Sequence, residues 1–230
     1  MSSKLRPVSV PFVVERPSGA RVRTRLLLDK ADAQVICAVG THLGSLAGRD
    51  LARRCSEGRL DSRGRARSRR ERKRALTAES SARWAGAITR TSEDAWRLAE
   101  RNLRAELRSL GARVGRIRRR LAVRLRERRG RTRGYATETE RWETQRRLQV
   151  LKARLGEVEA RLEAGRVSVC KGGRRLARTR HHLAEAGLDE HTWRQQWEAE
   201  RLFICADGEA AKAWGNETIR WHPNEGWLEV

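Results

Sequence analysis

Leu103, Leu107, Leu110, Val114, Ile117 and Leu121 recur at intervals of 4, 3, 4, 3 and 4, and further on Leu148, Leu151, Leu155, Val158 and Leu162 repeat at 3, 4, 3 and 4. Such spacing puts every apolar side chain on one narrow stripe of an α-helix, and a stripe of this kind needs a second helix to cover it. Gly130 to Ala136 interrupts the pattern between the two runs. The sequence therefore predicts a long antiparallel helical hairpin. Its first arm is expected from Thr91 to Arg129, about 57 Å at the helical rise per residue. Thr91-Ser92-Glu93-Asp94 reads as a capping box, with Thr91 as N-cap and Asp94 reaching back. The second arm is expected to end near Ala164, with Gly165 as its C′ glycine.

The hairpin leaves most of its surface to charge. The chain carries 52 Lys and Arg, of which only six are Lys, for a net charge of +23 and a pI near 11.5. From Glu198 to Val230 seven acidic residues face three basic ones, so the residues before Glu198 carry +27. A charge of that size repels itself and calls for a polyanion. Nucleic acid is the expected partner, because each neutralised phosphate releases counterions, and arginine grips phosphate with a planar fork. A GC-rich coding bias explains Arg over Lys but not the total charge. Leu, Ile, Val and Phe make up just under a fifth of the chain, close to the disordered class, whereas eight Trp demand burial or stacking. A folded protein with a thin core is expected.

Within the hairpin, Arg116, Arg120 and Arg124 stand four apart, and Arg119, Arg126 and Arg133 extend the same field. Only Glu127 offsets the eleven basic residues from Arg113 to Arg133. Like charges at this spacing destabilise an isolated helix, which points to a polyanion or an acidic protein laid along it. Val8–Val14 and Arg21–Leu28, joined by a Pro/Gly turn, read as a β-hairpin with Arg21, Arg23 and Arg25 on one face. That face is either a phosphate contact or an ordinary solvated strand. Asp29 caps a helix bearing Val35, Ile36, Val39, Leu43 and Leu46, weakened by Gly40, Gly44 and Gly48. Arg53 to Arg74, with eleven basic and three acidic residues, reads as a flexible arm that orders on phosphate or as a solvated linker.

After Gly165 the period changes to two. Arg166–Cys170 reads as a strand, followed by Lys171-Gly172-Gly173-Arg174-Arg175 and a helix through Ala186 that stops at Gly187. Gly172 and Gly173 before a helix, with Lys171, Arg174, Arg175 and Arg178 around them, make either a phosphate cradle or a plain turn. Asp189 caps a helix with Trp193 and Trp197 on one face, packed in a core or stacked on bases. Leu202–Ala206, Thr218–His222 and Trp227–Val230 read as strands, the last two joined by a tight turn at Pro223–Gly226. A strand ending at Val230 predicts a further element after it. Nucleic-acid contacts are thus expected at Arg21, Arg23, Arg25, Arg116, Arg119, Arg120, Arg124, Lys171, Gly172, Gly173, Arg174, Arg175 and Arg178.

Catalytic chemistry is not expected. Cys37, Cys55, Cys170 and Cys205 form no CxxC pair, adjacent His181 and His182 point apart on a helix, and Asp207 with Glu209 lacks a third carboxylate. No metal site, cofactor or enzymatic activity follows. Met1–Pro7 has no apolar h-region, so no signal peptide is expected, and no apolar window is long enough to span a membrane.

The residues from Arg166 to Val230 carry a further signal: the run Arg166–Leu176, then His181-His182-Leu183 and Gly187, a Trp-bearing acidic helix, Phe203, and Glu209 to Asn216. This stretch closely resembles the actinobacterial TnpB proteins, encoded by insertion sequences, often described as transposases, and related to type V CRISPR effectors. The Arg-rich hairpin and Leu26-Leu27-Leu28-Asp29 are similar too; the likeness is strongest over 92–230 and weak over 50–80. It implies an α+β fold: a wedge-type β-barrel from 1–28 and 166–230, including helices over 174–200, with a helical recognition domain, 29–165, inserted in it. It implies a structured guide RNA, a guide–target RNA–DNA heteroduplex and a DNA target as partners, in the nucleoid-associated cytoplasm of a bacterium. The family continues into a RuvC-like nuclease with an Asp/Glu/Asp metal site and a four-cysteine zinc element, neither of which this sequence carries, so binding without cutting is expected. Two other readings stay open: a non-guided DNA-binding remnant of a transposase, and a helical interaction protein for an acidic partner.

Overall fold

The computed structural model describes residues 27–208, 216, 218–222 and 225–230. Six helices appear among them: α1 (Lys30–Ser56), α2 (Ser62–Glu79), α3 (Ala82–Leu121), α4 (Glu138–Glu163), α5 (Arg174–Thr179) and α6 (Glu190–Ala199). Two antiparallel ribbons complete the set, β1 (Arg128–Arg129) with β2 (Thr132–Arg133), and β3 (Arg220–His222) with β4 (Trp227–Glu229).

The heptad stripes meet as their spacing predicts. Leu103, Leu110 and Val114 of α3 are buried against Leu148, Leu151, Val158 and Leu162 of α4, with Leu107, Ile117, Leu121 and Leu155 packed beside them. Two ion pairs fix the antiparallel register, Arg120 to Glu140 at 3.0 Å and Arg154 to Glu106 at 2.9 Å. Thr137 caps α4 by accepting from the Glu140 amide, and Glu140 accepts in turn from the Ala136 amide. At the other end Gly165, at φ +64, stops the helix while the Arg166 amide donates to Arg161 O. A side chain at Gly165 would also meet the Arg59 backbone nitrogen at 2.8 Å, so this glycine lets the α1–α2 loop approach.

α3 begins earlier than its capping-box signature suggests. Ser81 is the N-cap, accepting from the Trp84 amide, and Ser92 and Glu93 lie buried in mid-helix. The first two turns are buried through small side chains, Ala85, Gly86, Ala87 and Thr89 around Ile88, which give no clear apolar period. At the far end α3 stops at Leu121 rather than near Arg129, and residues 122–137 fold into a tip around Val123 and Tyr135.

A second core joins Leu43, Leu46 and Ala47 of α1 to Leu76 of α2 and to Ala85 and Ile88 of α3. The 201–204 segment lies across it. Phe203 packs on this core and its amide donates to Gly40 O at 3.0 Å. Gly44 makes that approach feasible, because a Cβ there would collide with Arg201 O. Gly44→Ala is therefore expected to lift 201–204 from α1 at a cost of about 1–3 kcal/mol, the usual range for forced overpacking. Amide exchange at Phe203 is the measurement: it should accelerate while exchange in the α3–α4 core does not.

Four sequence expectations are corrected. Residues 53–74 form no flexible arm: they are the end of α1, a short loop and most of α2. The segments read as strands at Arg166–Cys170 and Leu202–Ala206 pair with no strand among the described residues. Helices absorb their apolar side chains: Val167 packs on the α3–α4 core and Phe203 on the second core. Alternation alone does not make a strand; a ladder needs a partner strand as well. The α+β fold with a wedge-type β-barrel is accordingly overturned. The described residues are mostly helical, with two two-stranded ribbons and no barrel. Val8–Val14 and residues 21–26 lie outside the described residues. The helix expected from Arg174 through Ala186 shortens to α5, followed by turns to Gly187. The two strands expected on either side of 223–226 do pair, with Trp221 opposite Leu228, while residues 223 and 224 lie outside the described residues.

Candidate nucleic-acid interface

Some arginines are structural. Arg72 of α2 is nearly inaccessible and donates to Asp50 of α1 at 2.6 Å and to Ser68 Oγ at 3.2 Å; Ser68 in turn donates to Glu57. Arg54 of α1 is fully buried, bonded to Glu93 of α3 and to Gly58 O at 2.8 Å, with its guanidinium 4.1 Å from the Trp96 ring centroid. Burial raises the Glu93 pKa, but hydrogen bonds and charge from Arg54 and Arg97 outweigh it and hold the carboxyl below its ordinary value. α2 is thus fastened largely by ion pairs, with Leu76 as its buried apolar anchor.

No described residue buries the arginines on the opposite face of α2. Arg63, Arg67, Arg70 and Arg74, at intervals of 4, 3 and 4, are exposed and form no ion pair with another described residue. α3 carries a longer row on the side away from α4: Arg97, Arg101, Arg104, Arg108 and Arg119, all exposed. The row runs about 33 Å at the helical rise. Arg97 and Arg104 are tied to Glu93 and Glu100 at 3.1 and 3.0 Å, whereas Arg101, Arg108 and Arg119 have no acidic partner among the described residues. The tip adds Arg124, Arg126, Arg128, Arg129, Arg131 and Arg133, all exposed. Arg126 adopts the left-handed region at φ +61, and its amide donates to Tyr135 O at 2.8 Å.

The residues expected to touch nucleic acid are placed unevenly. Arg21, Arg23 and Arg25 lie outside the described residues. Arg116 and Arg119 are exposed on α3, and Arg124 lies beyond the helix end. Arg120, partly exposed, is instead engaged within the hairpin, bonded to Glu140 with its guanidinium 3.9 Å from the Tyr135 ring centroid. Lys171 is half-buried and donates to Gly44 O. Gly172 and Gly173 both take positive φ, +88 and +86, and the absent Cβ at Gly172 admits the Trp197 ring at 3.1 Å. Lys171 and Gly172 therefore hold their loop against α1 and α6. Arg174 donates to Ser168 O at 2.5 Å, and Arg175 and Arg178 point outward, exposed. Trp193 is a core residue whose indole donates to Leu176 O at 2.9 Å; Trp197 stacks on it with centroids 5.8 Å apart.

Lys171 gives this loop a pH response. Burial, helped by the Arg201 charge, lowers its pKa from 10.5 to about 8. Between those values the unfolded chain binds a proton that the fold does not, so stability should rise from about pH 8 to 10.5. Urea midpoints across that window, compared with Lys171→Met, isolate the contribution. The variant should lack this part of the slope, and parallel curves would place Lys171 in water.

The arginine rows were readable in principle: Arg97, Arg101, Arg104 and Arg108 repeat with the same 4-3-4 rhythm as the apolar stripe, offset around the helix. Among the described residues no three His, Cys, Asp or Glu side chains converge as a metal site; Asp207 pairs with Arg90. No described helix is long and apolar enough to cross a membrane. Comparison with protein-family models, with curated proteins and with solved structures gives no match.

Proposed function

We infer that this chain binds nucleic acid, holding structured RNA along the arginine rows of α2 and α3 and the basic tip, without cutting it. The carrying observation is the set of exposed arginines with no acidic partner among the described residues, Arg63, Arg67, Arg70 and Arg74 on α2 and Arg101, Arg108 and Arg119 on α3. Side chains four apart on a helix are close to 6 Å apart, a spacing suited to successive phosphates of one strand. The resemblance of Arg166–Val230 to TnpB proteins supplies the identity of the RNA, a structured guide, and adds a guide–target heteroduplex as second ligand. In such a system base pairing chooses the sequence, while the protein grips A-form backbone. This reading places the chain in the nucleoid-associated cytoplasm of a bacterium.

Competition binding at fixed salt tests it. Structured RNA should displace a labelled RNA more effectively than duplex DNA of equal length. Equal or better competition by duplex DNA would favour the non-guided DNA-binding reading. Binding of an acidic protein with weak salt dependence, and none of RNA, would favour a helical interaction protein.

A further inference from the structure

A cleft of about 310 Å³ opens where the C-terminal half of α4 faces α3 and residues 168–174 cross between them. Its floor is apolar: Leu98, Leu103 and Val169, deepened by the small side chains of Ala95 and Ala99. Leu98 leaves 51% of its surface open, a large exposure for a leucine on a helix already packed on two sides. Asn102 stands on the wall, and its amide makes no hydrogen bond with a described residue. Three arginines edge the cleft. Arg154 is spent on Glu106 and Glu157. Arg161 has no ion pair with a described residue, and Arg174 bonds only a neutral carbonyl, Ser168 O, so both charges remain unneutralised.

We propose that this cleft receives the unstacked base of one nucleotide in a single-stranded segment. The ring rests on Leu98 and Val169, its polar edge meets Asn102, and the flanking phosphates sit on Arg161 and Arg174. The assignment rests on the nucleic-acid reading and adds to it a site for a base, where the arginine rows take backbone alone. A nucleotide combines a flat ring, a hydrogen-bonding edge and an adjoining anion, and the cleft offers an apolar floor, a free amide and two cations in one place. Single-stranded RNA is commonly held by such splayed bases.

Cys170 lines the cleft, whereas the exposed Cys37 and Cys205 do not, so the chain carries its own footprinting probe. The full chain is alkylated with iodoacetamide and read by mass spectrometry, alone, with a uridine tetranucleotide, and with the abasic tetranucleotide of the same sugar–phosphate backbone. The uridine strand should slow Cys170 alkylation and leave Cys37 and Cys205 unchanged; the abasic strand should not protect. Loss of the base should weaken binding about tenfold, equivalent to about 1.4 kcal/mol. Asn102→Ala and the cleft-filling Ala99→Leu should each remove the protection, with urea unfolding confirming that both variants fold. Equal protection by the abasic strand, or salt-dependent binding of uridine strands with Cys170 unprotected, would overturn the base site and leave the nucleic-acid reading standing. Protection by an acidic aromatic peptide and not by uridine strands would also overturn it, in favour of a protein ligand. Absence of salt-dependent binding by any strand would remove the underlying reading as well.

Discussion

Changing Arg101, Arg108 and Arg119 together to glutamine is expected to weaken RNA binding roughly a hundredfold near 0.1 M salt, and hardly at all near 1 M. Each phosphate contact contributes about 0.7 to 0.9 to the slope of log affinity against log salt, so losing three removes at least two units. At a tenth of molar salt, two units of slope are two decades of affinity. The fold should not suffer. The three side chains are exposed, lack acidic partners among the described residues, and repel one another and their neighbours. Anisotropy titrations from about 0.05 to 0.5 M salt read both slope and affinity. Arg97 and Arg104 serve as the comparison, since glutamates already neutralise them in part. An unchanged slope in the triple variant would show that the α3 row is only solvated surface; an equal loss per arginine in the paired-arginine variant would show that Glu93 and Glu100 do not keep Arg97 and Arg104 from phosphate.

Asp50→Ala should be the most destabilising single change in the body of the molecule, by about 3–5 kcal/mol, the usual penalty for stranding one member of a buried ion pair. It leaves the Arg72 guanidinium almost wholly buried with only Ser68 Oγ and the more distant Glu57 as partners. Because α2 is held mainly through Arg72, Ser68 and Leu76, hydrogen exchange should show α2 opening before α3 and α4. The double variant Asp50→Leu with Arg72→Met should recover most of the loss, since a buried pair replaced by apolar side chains of similar volume is often neutral or better. Urea unfolding followed by circular dichroism measures both. A loss below about 1 kcal/mol would mean that water reaches Arg72 and that the pair counts as a surface one.

The parts that sequence reading recovers are those whose partners repeat with a period. The α3–α4 pair follows from leucines at heptad spacing, and Asp189 and Gly165 mark ends that the helices respect. α2 escapes because its buried face is Ser68, Arg72 and Leu76, and a face anchored by an arginine is indistinguishable from a solvated one until Asp50 is seen beside it. The start of α3 escapes because Ala85, Gly86 and Ala87 are buried by being small, and Thr91-Ser92-Glu93-Asp94 copies a cap in the middle of a helix. The wedge-like strands fail for a third reason. Arg166–Cys170 and Leu202–Ala206 take neither helix nor strand, and their apolar side chains pack on helices instead, Val167 on the α3–α4 core and Phe203 on the second core. The candidate interface divides the same way. Exposed arginines could be counted from the sequence, but Arg120 is engaged by Tyr135 and Glu140, and Lys171 by Gly44 O.

Gly165 bears on how this molecule handles load. The helical pair from Glu100 to its tip is a cantilever about 32 Å long, by the rise of α3 alone. One brace at its root is the place where Gly165 meets the Arg59 backbone and Arg59 reaches Glu100 at 2.8 Å. A force on the arginine tip becomes torque at that brace, close in sequence to Glu57, which accepts from Ser68 and pairs with Arg72 to seat α2. An RNA that pulls on Arg128 or Arg131 is therefore levered against the anchor of the other arginine row, so the two surfaces are mechanically in series.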